Sequence, residues 1–176
     1  AGYPKTAIKT AESVTETHIY SNNPGISQPW SKQGYHYVVG TDGKVCALVP
    51  ESKSSFGVGK AEAQTKSPKF YNSNTININF SGGYPNGIID FKGQPTQFKA
   101  FGLLLEALIN KYPNAKVIGH NQLTTDRICP GFWVPRLLER FGNINNKIAD
   151  TGYEGYKTEK WIKKADELYE TIKDAF

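Results

Sequence analysis

The sequence predicts an α/β chain, and three observations carry that prediction. Residues 34–50, GYHYVVGTDGKVCALVP, read as a β-hairpin, because two β-rich runs flank an Asp-Gly turn signal. NTININF (74–80) alternates apolar and polar side chains, the period-2 mark of a half-buried strand. Within residues 96–112, Phe98, Phe101, Leu104, Leu105 and Leu108 recur at helical spacing, an amphipathic stripe.

Taken in order, residues 1–12 are a polar N-terminal arm. SVTETHIYS (13–21) is rich in Thr, Val, Ile and Tyr and reads as a short strand carrying His18, broken by NNPG (22–25). In the hairpin, alternation sends Tyr35, Tyr37 and Val39 to one face and His36 and Val38 to the other. Residues 51–73 read as a polar loop whose compact apolar feature is FGVG (56–59). The strand at 74–80 turns Ile76, Ile78 and Phe80 to a core and Asn77 and Asn79 to a wet or functional side. A turn-rich connection follows to the helix at 96–112, with Thr96 as its expected N-cap and Pro113 as its stop. A short helix is expected over 134–141, ending at Gly142. Residues 142–157, polar and with Gly152 and Gly155, read as a linker. Residues 158–176 form a second amphipathic helix, with Trp161, Ile162, Ala165, Leu168, Tyr169 and Ile172 along one face and a mixed-charge back, which suits packing on the main domain (1–141).

With 176 residues and 38% hydrophobic content, the chain is long enough for one domain with a sizeable core. No run of about 18 apolar residues is present to span a membrane. The N-terminus lacks the apolar stretch of a secretory signal, and it begins without Met, which leaves room for a removed leader. The net charge of +5 divides into +6 over residues 1–141 and −1 over residues 142–176, and the basic main domain suits polyanionic surroundings, either nucleic acid or an anionic cell wall. No Lys/Arg cluster interleaved with aromatics supports the nucleic-acid side of that choice.

The densest chemistry lies in VIGHNQLTTDRICPGFW (117–133). It holds one of three histidines, His120, and one of two cysteines, Cys129. Cys46 and Cys129 could pair as a disulfide, but the polar setting of Cys129 suits a metal ligand better. Imidazole and thiolate both bind zinc, and a third ligand from His18 or His36 would leave one position open, the arrangement of a catalytic zinc site. Alternatively, Cys129 with His120 could form a cysteine nucleophile pair, given an orienting partner and a lowered thiol pKa.

These residues resemble a known family, the zinc-dependent N-acetylmuramoyl-L-alanine amidases, a superfamily shared with peptidoglycan recognition proteins and phage lysozyme-type amidases. GHNQLTTDRICPGFWV (119–134) is similar to the family segment in which a histidine and a downstream Cys or Asp bind zinc. GYHYVVGTDGKV and NTININF are similar to the family hairpin and the strand after it, and the resemblance covers roughly residues 14–141. It implies a central mixed β-sheet flanked by helices, a zinc site in a groove at one face, and an extra C-terminal helix. By the same resemblance His18, His120 and Cys129 are the zinc ligands, with His36 as the fallback for His18. Tyr35 matches a tyrosine beside the metal that handles a proton or binds the substrate carbonyl. Arg127 stands where active relatives usually carry lysine; its guanidinium could stabilise an oxyanion but not donate a proton. Asn79 replaces a frequent glutamate, and FGVG stands where relatives often read Trp-His-Ala-Gly. The implied activity is zinc-dependent cleavage of the amide joining N-acetylmuramic acid to the first L-alanine of the peptidoglycan stem. The alternative is a peptidoglycan-binding module of the same fold without catalysis. The implied partner is the muropeptide stem, acted on by a monomer, with no nucleic acid; a phage lysin made in the host cytoplasm fits this reading.

Overall fold

The structure is a computed structural model, and it describes residues 34–59, 61–62, 65–82 and 90–175. The expected strand carrying His18 and the N-terminal arm therefore lie outside the described residues. The described part is α/β: a mixed three-stranded sheet with four α-helices, the last of them C-terminal.

The hairpin pairs β1 (Tyr37–Val39) antiparallel to β2 (Val45–Ala47). Its turn closes through Gly40 N–H to the Lys44 carbonyl at 2.7 Å, and Gly43 adopts the left-handed conformation (φ 81°) that a side chain would resist. Strand β3 (Ile78–Phe80) runs parallel to β1, giving the order β2-β1-β3. This strand is shorter than the alternation in 74–80 predicts. Residue 74 instead ends a helix, α1 (Pro68–Asn74), inside a stretch expected to be loop. The Ser67 hydroxyl caps α1 by accepting from Phe70 N–H at 3.2 Å, and Pro68 is preorganised for the first helical position. Thr75 then closes the helix end by donating its hydroxyl to the Tyr71 carbonyl at 2.6 Å.

The alternation in the first arm also shifts. Tyr37 and Val39 enter the main core as expected, but Tyr35 packs with Val38, Cys46 and Leu48 on the other side. His36 N–H and Tyr37 N–H both donate to the Asn77 carbonyl, at 2.9 and 3.1 Å. Two residues against one, as in a β-bulge, shift the side-chain phase by one position.

The helix α2 (Pro95–Lys111) buries Phe98, Phe101, Leu104, Leu105 and Leu108, the stripe read from the sequence. Gln94, not Thr96, is its N-cap residue, because Pro95 takes the first helical position. Phe80, Phe91, Phe98, Phe101 and Phe132 form a connected set of tilted and edge-on rings between the sheet and α2. The helix α3 (Val134–Arg140) and the C-terminal α4 (Glu159–Ile172) complete this core. α4 packs on α3 and α2 with Trp161, Ala165, Leu168 and Ile172 buried. Arg136 and Arg140 of α3 both reach Asp166 of α4, at 2.9 and 3.2 Å, and Arg140 lies over the Tyr169 ring. None of the described helices is long and apolar enough to cross a membrane.

Candidate functional site

The segment after α2 is tied down at Val117 before it presents its polar side chains. Val117 N–H donates to the Lys147 carbonyl at 2.8 Å, and Val117 pairs with Ile148 in an isolated parallel bridge. Gly119 is needed for a close approach: a Cβ there would lie 2.6 Å from Asn121 Oδ1 and 3.0 Å from the Val134 side chain. A 3-10 turn then runs over His120–Gln122, and the Gln122 side chain accepts from Gly119 N–H at 2.8 Å.

Asn121 joins the two ligand candidates. Its N–H donates to the Cys129 carbonyl at 2.7 Å, and its Nδ2 donates to the Phe132 and Ile128 carbonyls at 3.1 and 3.4 Å. Asn121 is fully buried, so these bonds are shielded from competing water. The loop therefore closes on itself, with His120 before the clasp and Cys129 beyond it. The Cys129–Pro130 peptide is cis, and Gly131 (φ 83°) turns the chain towards α3.

Tyr35, His120 and Cys129 line one groove of about 1010 Å³, which runs along β3 and the C-terminal half of α2. Burial raises the pKa of the Tyr35 phenol, the neighbouring Cys129 raises it further, and Arg127 pulls it down. The Cys129 thiol reaches the surface, yet the groove walls desolvate it enough to push its pKa up, against its own backbone N–H and Arg127. Tyr35, Arg127 and Cys129 thus sit within electrostatic reach of one another. Among the described residues the groove carries Lys53, Lys66, Lys111 and Lys116 against one carboxylate, Glu51.

His36 is engaged elsewhere. It is fully buried; its Nδ1 accepts from Asn77 N–H at 2.9 Å and lies 3.0 Å from the Ser55 hydroxyl. An acceptor Nδ1 carries no proton, so Nε2–H donates to the Lys53 carbonyl at 2.8 Å and the ring is neutral. Gly57, at the position of the histidine in the Trp-His-Ala-Gly pattern, has no room for a side chain. A Cβ there would come within 2.8 Å of both the Asn77 side chain and the Gly34 carbonyl.

Both cysteines are free. Cys46 is buried in the hairpin, its thiol pushed up to about 12, first by desolvation, which leaves it inert. No three His, Cys, Asp or Glu side chains cluster as a metal set among the described residues. His120 and Cys129 both line the groove, and His18 lies outside the described residues. The donor chemistry fits zinc as far as it is described: one imidazole and one thiol on a hydrogen-bonded loop at a groove wall.

Residues 5–132 match the model of the N-acetylmuramoyl-L-alanine amidase family. The chain belongs to that family. It is similar to the endolysin of Escherichia phage T7, 30% identical over 114 residues, covering 64% of this chain and 68% of the relative. The endolysins of Enterobacteria phages T3 and K11 are similar at 29% and 30% identity, over the same shares. No solved structure matches. The amidase match ends at Phe132, so α3, residues 143–158 and α4 lie beyond it.

Residue-type patterns did not point to Asn121, Ser55 or Glu51, whose roles come from long-range hydrogen bonds. His36 and Glu51 make stability depend on pH. Burial lowers the His36 pKa against the pull of the Lys53 carbonyl and Glu51. The unfolded chain therefore takes up a proton below about pH 6.5 that the folded chain resists, and stability present above that pH is lost as pH falls. Glu51 is desolvated, but hydrogen bonds from Lys111, Tyr112 and Tyr37 outweigh this and lower its pKa, so its contribution is lost at still lower pH. The thermal midpoint of the metal-free protein should fall between about pH 7.5 and about pH 5. A midpoint that stays level over that range contradicts the assignment of a neutral buried His36.

Proposed function

We propose that this chain hydrolyses the amide between N-acetylmuramic acid and the L-alanine of the peptidoglycan stem, with zinc held by His18, His120 and Cys129. One observation supports the reading: Asn121 ties the loop between His120 and Cys129, both of which line one groove with Tyr35, and Arg127 lies within electrostatic reach of Tyr35 and Cys129. The family match supports the amidase activity, and the phage endolysins supply the precedent for a phage-encoded protein acting on a bacterial wall. His18 is proposed as the third ligand because His36 has both ring nitrogens committed to the protein.

Zinc bound there supplies a Lewis acid and a water activated at neutral pH. The remaining work falls to the chain. The groove, with lysines in excess, receives the stem peptide and its carboxylates. Tyr35, whose phenol is protonated at neutral pH with or without the upward push of burial, holds a proton at its hydroxyl to donate to the substrate carbonyl oxygen or the departing amine. Arg127, always charged, offers fixed donors to the oxyanion that develops on that carbonyl. The cysteine-hydrolase alternative is disfavoured, because burial raises the Cys129 thiol where a nucleophile needs it lowered. Residues 1–141 are proposed as the amidase unit, with α4 held against it.

Release of stem peptides from purified wall tests the reading. Wild-type protein should release them and lose that activity to a zinc chelator; binding without release would make the chain a wall-binding module. Arg127→Ala should lower the rate about 10²–10³-fold, the usual cost of one oxyanion donor, whereas Arg127→Lys should stay within about tenfold of wild type. An unchanged rate in Arg127→Ala would remove that residue from the mechanism.

A further inference from the structure

The ligand loop is held from outside by a segment that lies beyond the amidase match. Tyr156 N–H donates to the Asn121 carbonyl at 2.6 Å. Gly155 (φ 61°) presses against the same residue: a Cβ on it would lie 2.1 Å from the Asn121 carbonyl oxygen and 2.8 Å from Gln122 Cα. Backbone thus meets backbone, and neither side can yield by turning a side chain. Asn121 is the residue whose N–H and side chain hold Cys129 and its neighbours.

The segment is anchored on both flanks. Upstream, Ile148 bridges Val117, three positions before His120. Downstream, the Thr158 hydroxyl caps α4 by accepting from Trp161 N–H at 3.4 Å, and the Trp161 carbonyl accepts from Trp133 N–H at 2.9 Å. Residues 148–161 therefore run along the outside of the loop and touch it before His120, at Asn121, and after Cys129. Ala165, Leu168 and Ile172 bury the far anchor in the main core, and Trp161 is itself buried.

We propose that residues 152–158 are a strap that fixes the His120–Cys129 loop in metal-binding geometry, with Gly155 and Asn121 as its positioning residues. The proposal rests on the zinc reading above and assigns a role to the C-terminal extension that the family match does not cover. Its physical basis is tolerance: zinc–ligand distances are held within about 0.2 Å, and outer partners that orient ligands typically change metal affinity about 10–100-fold when lost.

The glycines supply a matched pair of variants. Gly152 and Gly155 both have positive φ, at 65° and 61°, so alanine strains the backbone similarly at each. Gly152 has open space where its Cβ would go, whereas Gly155 faces Asn121. Zinc affinity is measured by chelator competition on wild type, Gly155→Ala and Gly152→Ala, beside the thermal midpoint of each metal-free protein. Gly155→Ala should bind zinc about 10–100-fold more weakly than Gly152→Ala at a temperature where both metal-free proteins are folded, its own midpoint being the lower because the clash with Asn121 is present without metal. Equal affinities in the two variants overturn the strap. Should Gly155→Ala fail to fold, hydrogen exchange on the wild type decides. A strap that favours zinc must be favoured by zinc to the same extent, so metal must slow exchange of the Tyr156 amide. An exchange rate unchanged by zinc overturns the proposal. A wild type that binds no zinc overturns the metal-site reading and the strap with it; zinc bound equally by all three proteins overturns the strap alone.

Discussion

Cys129→Ala and His120→Ala should each lower stem-peptide release by about a thousandfold or more while leaving the fold in place. A metal Lewis acid contributes several kcal/mol to the barrier, and each 1.36 kcal/mol is a factor of about ten in rate. Neither side chain contributes a large share of the core: Cys129 is exposed and His120 half-buried. The loop is held through Asn121, Gln122 and Gly119, all of which both variants keep. Unfolding midpoints measured on the metal-free proteins should therefore lie close to wild type. Activity within about tenfold of wild type in either variant contradicts a shared metal site.

The largest effect on stability is expected at Glu51, far from that chemistry in sequence. Its side chain is 4% exposed and takes three donors: the Tyr37 hydroxyl, the Tyr112 hydroxyl, and the Lys111 ammonium at 2.8 Å. One carboxylate thus ties the loop after β2 to β1 and to the C-terminal end of α2. Glu51→Ala removes the carboxylate that an ammonium and two hydroxyls share in a partly dry site. Breaking a buried pair by removing one partner costs about 3–5 kcal/mol, and the lower end applies because the Lys111 side chain keeps some contact with water. Glu51→Gln should cost less, since its amide oxygen can still accept from the tyrosines. Denaturant unfolding measures both; a loss below about 1 kcal/mol in Glu51→Ala would place the cluster among solvated surface pairs.

Sequence periodicity made the long elements legible. The stripes of α2 and α4 and the Asp-Gly turn each depend on neighbours within a few positions, so local pattern suffices. α1 escaped because PKFYNSN has no apolar stripe; its start is written in the cap Ser67 and in Pro68, a two-residue signal inside a polar stretch. The phase of Tyr35 was not legible because it turns on the Asn77 carbonyl, far away in sequence, accepting from two successive amides. The same limit hid Glu51 and Asn121, whose partners lie on other elements. Gly155 is the sharpest case. In sequence it looks like Gly152, a linker glycine, and the close approach to Asn121 separates them. At the site, residue chemistry singled out His120 and Cys129, and the family resemblance added Tyr35 and Arg127; His120, Cys129 and Tyr35 line one groove, with Arg127 within electrostatic reach of Tyr35 and Cys129. His36, chemically equivalent to any other histidine in sequence, is committed by three neighbours that local pattern could not reveal.

The central claim is tested most directly by metal content. Purified wild-type protein should carry about one zinc per chain, and Cys129→Ala, prepared identically, should carry almost none. Stripping the wild type should abolish stem-peptide release, and zinc should restore it. Full activity in a wild-type protein shown to be free of metal would contradict the account.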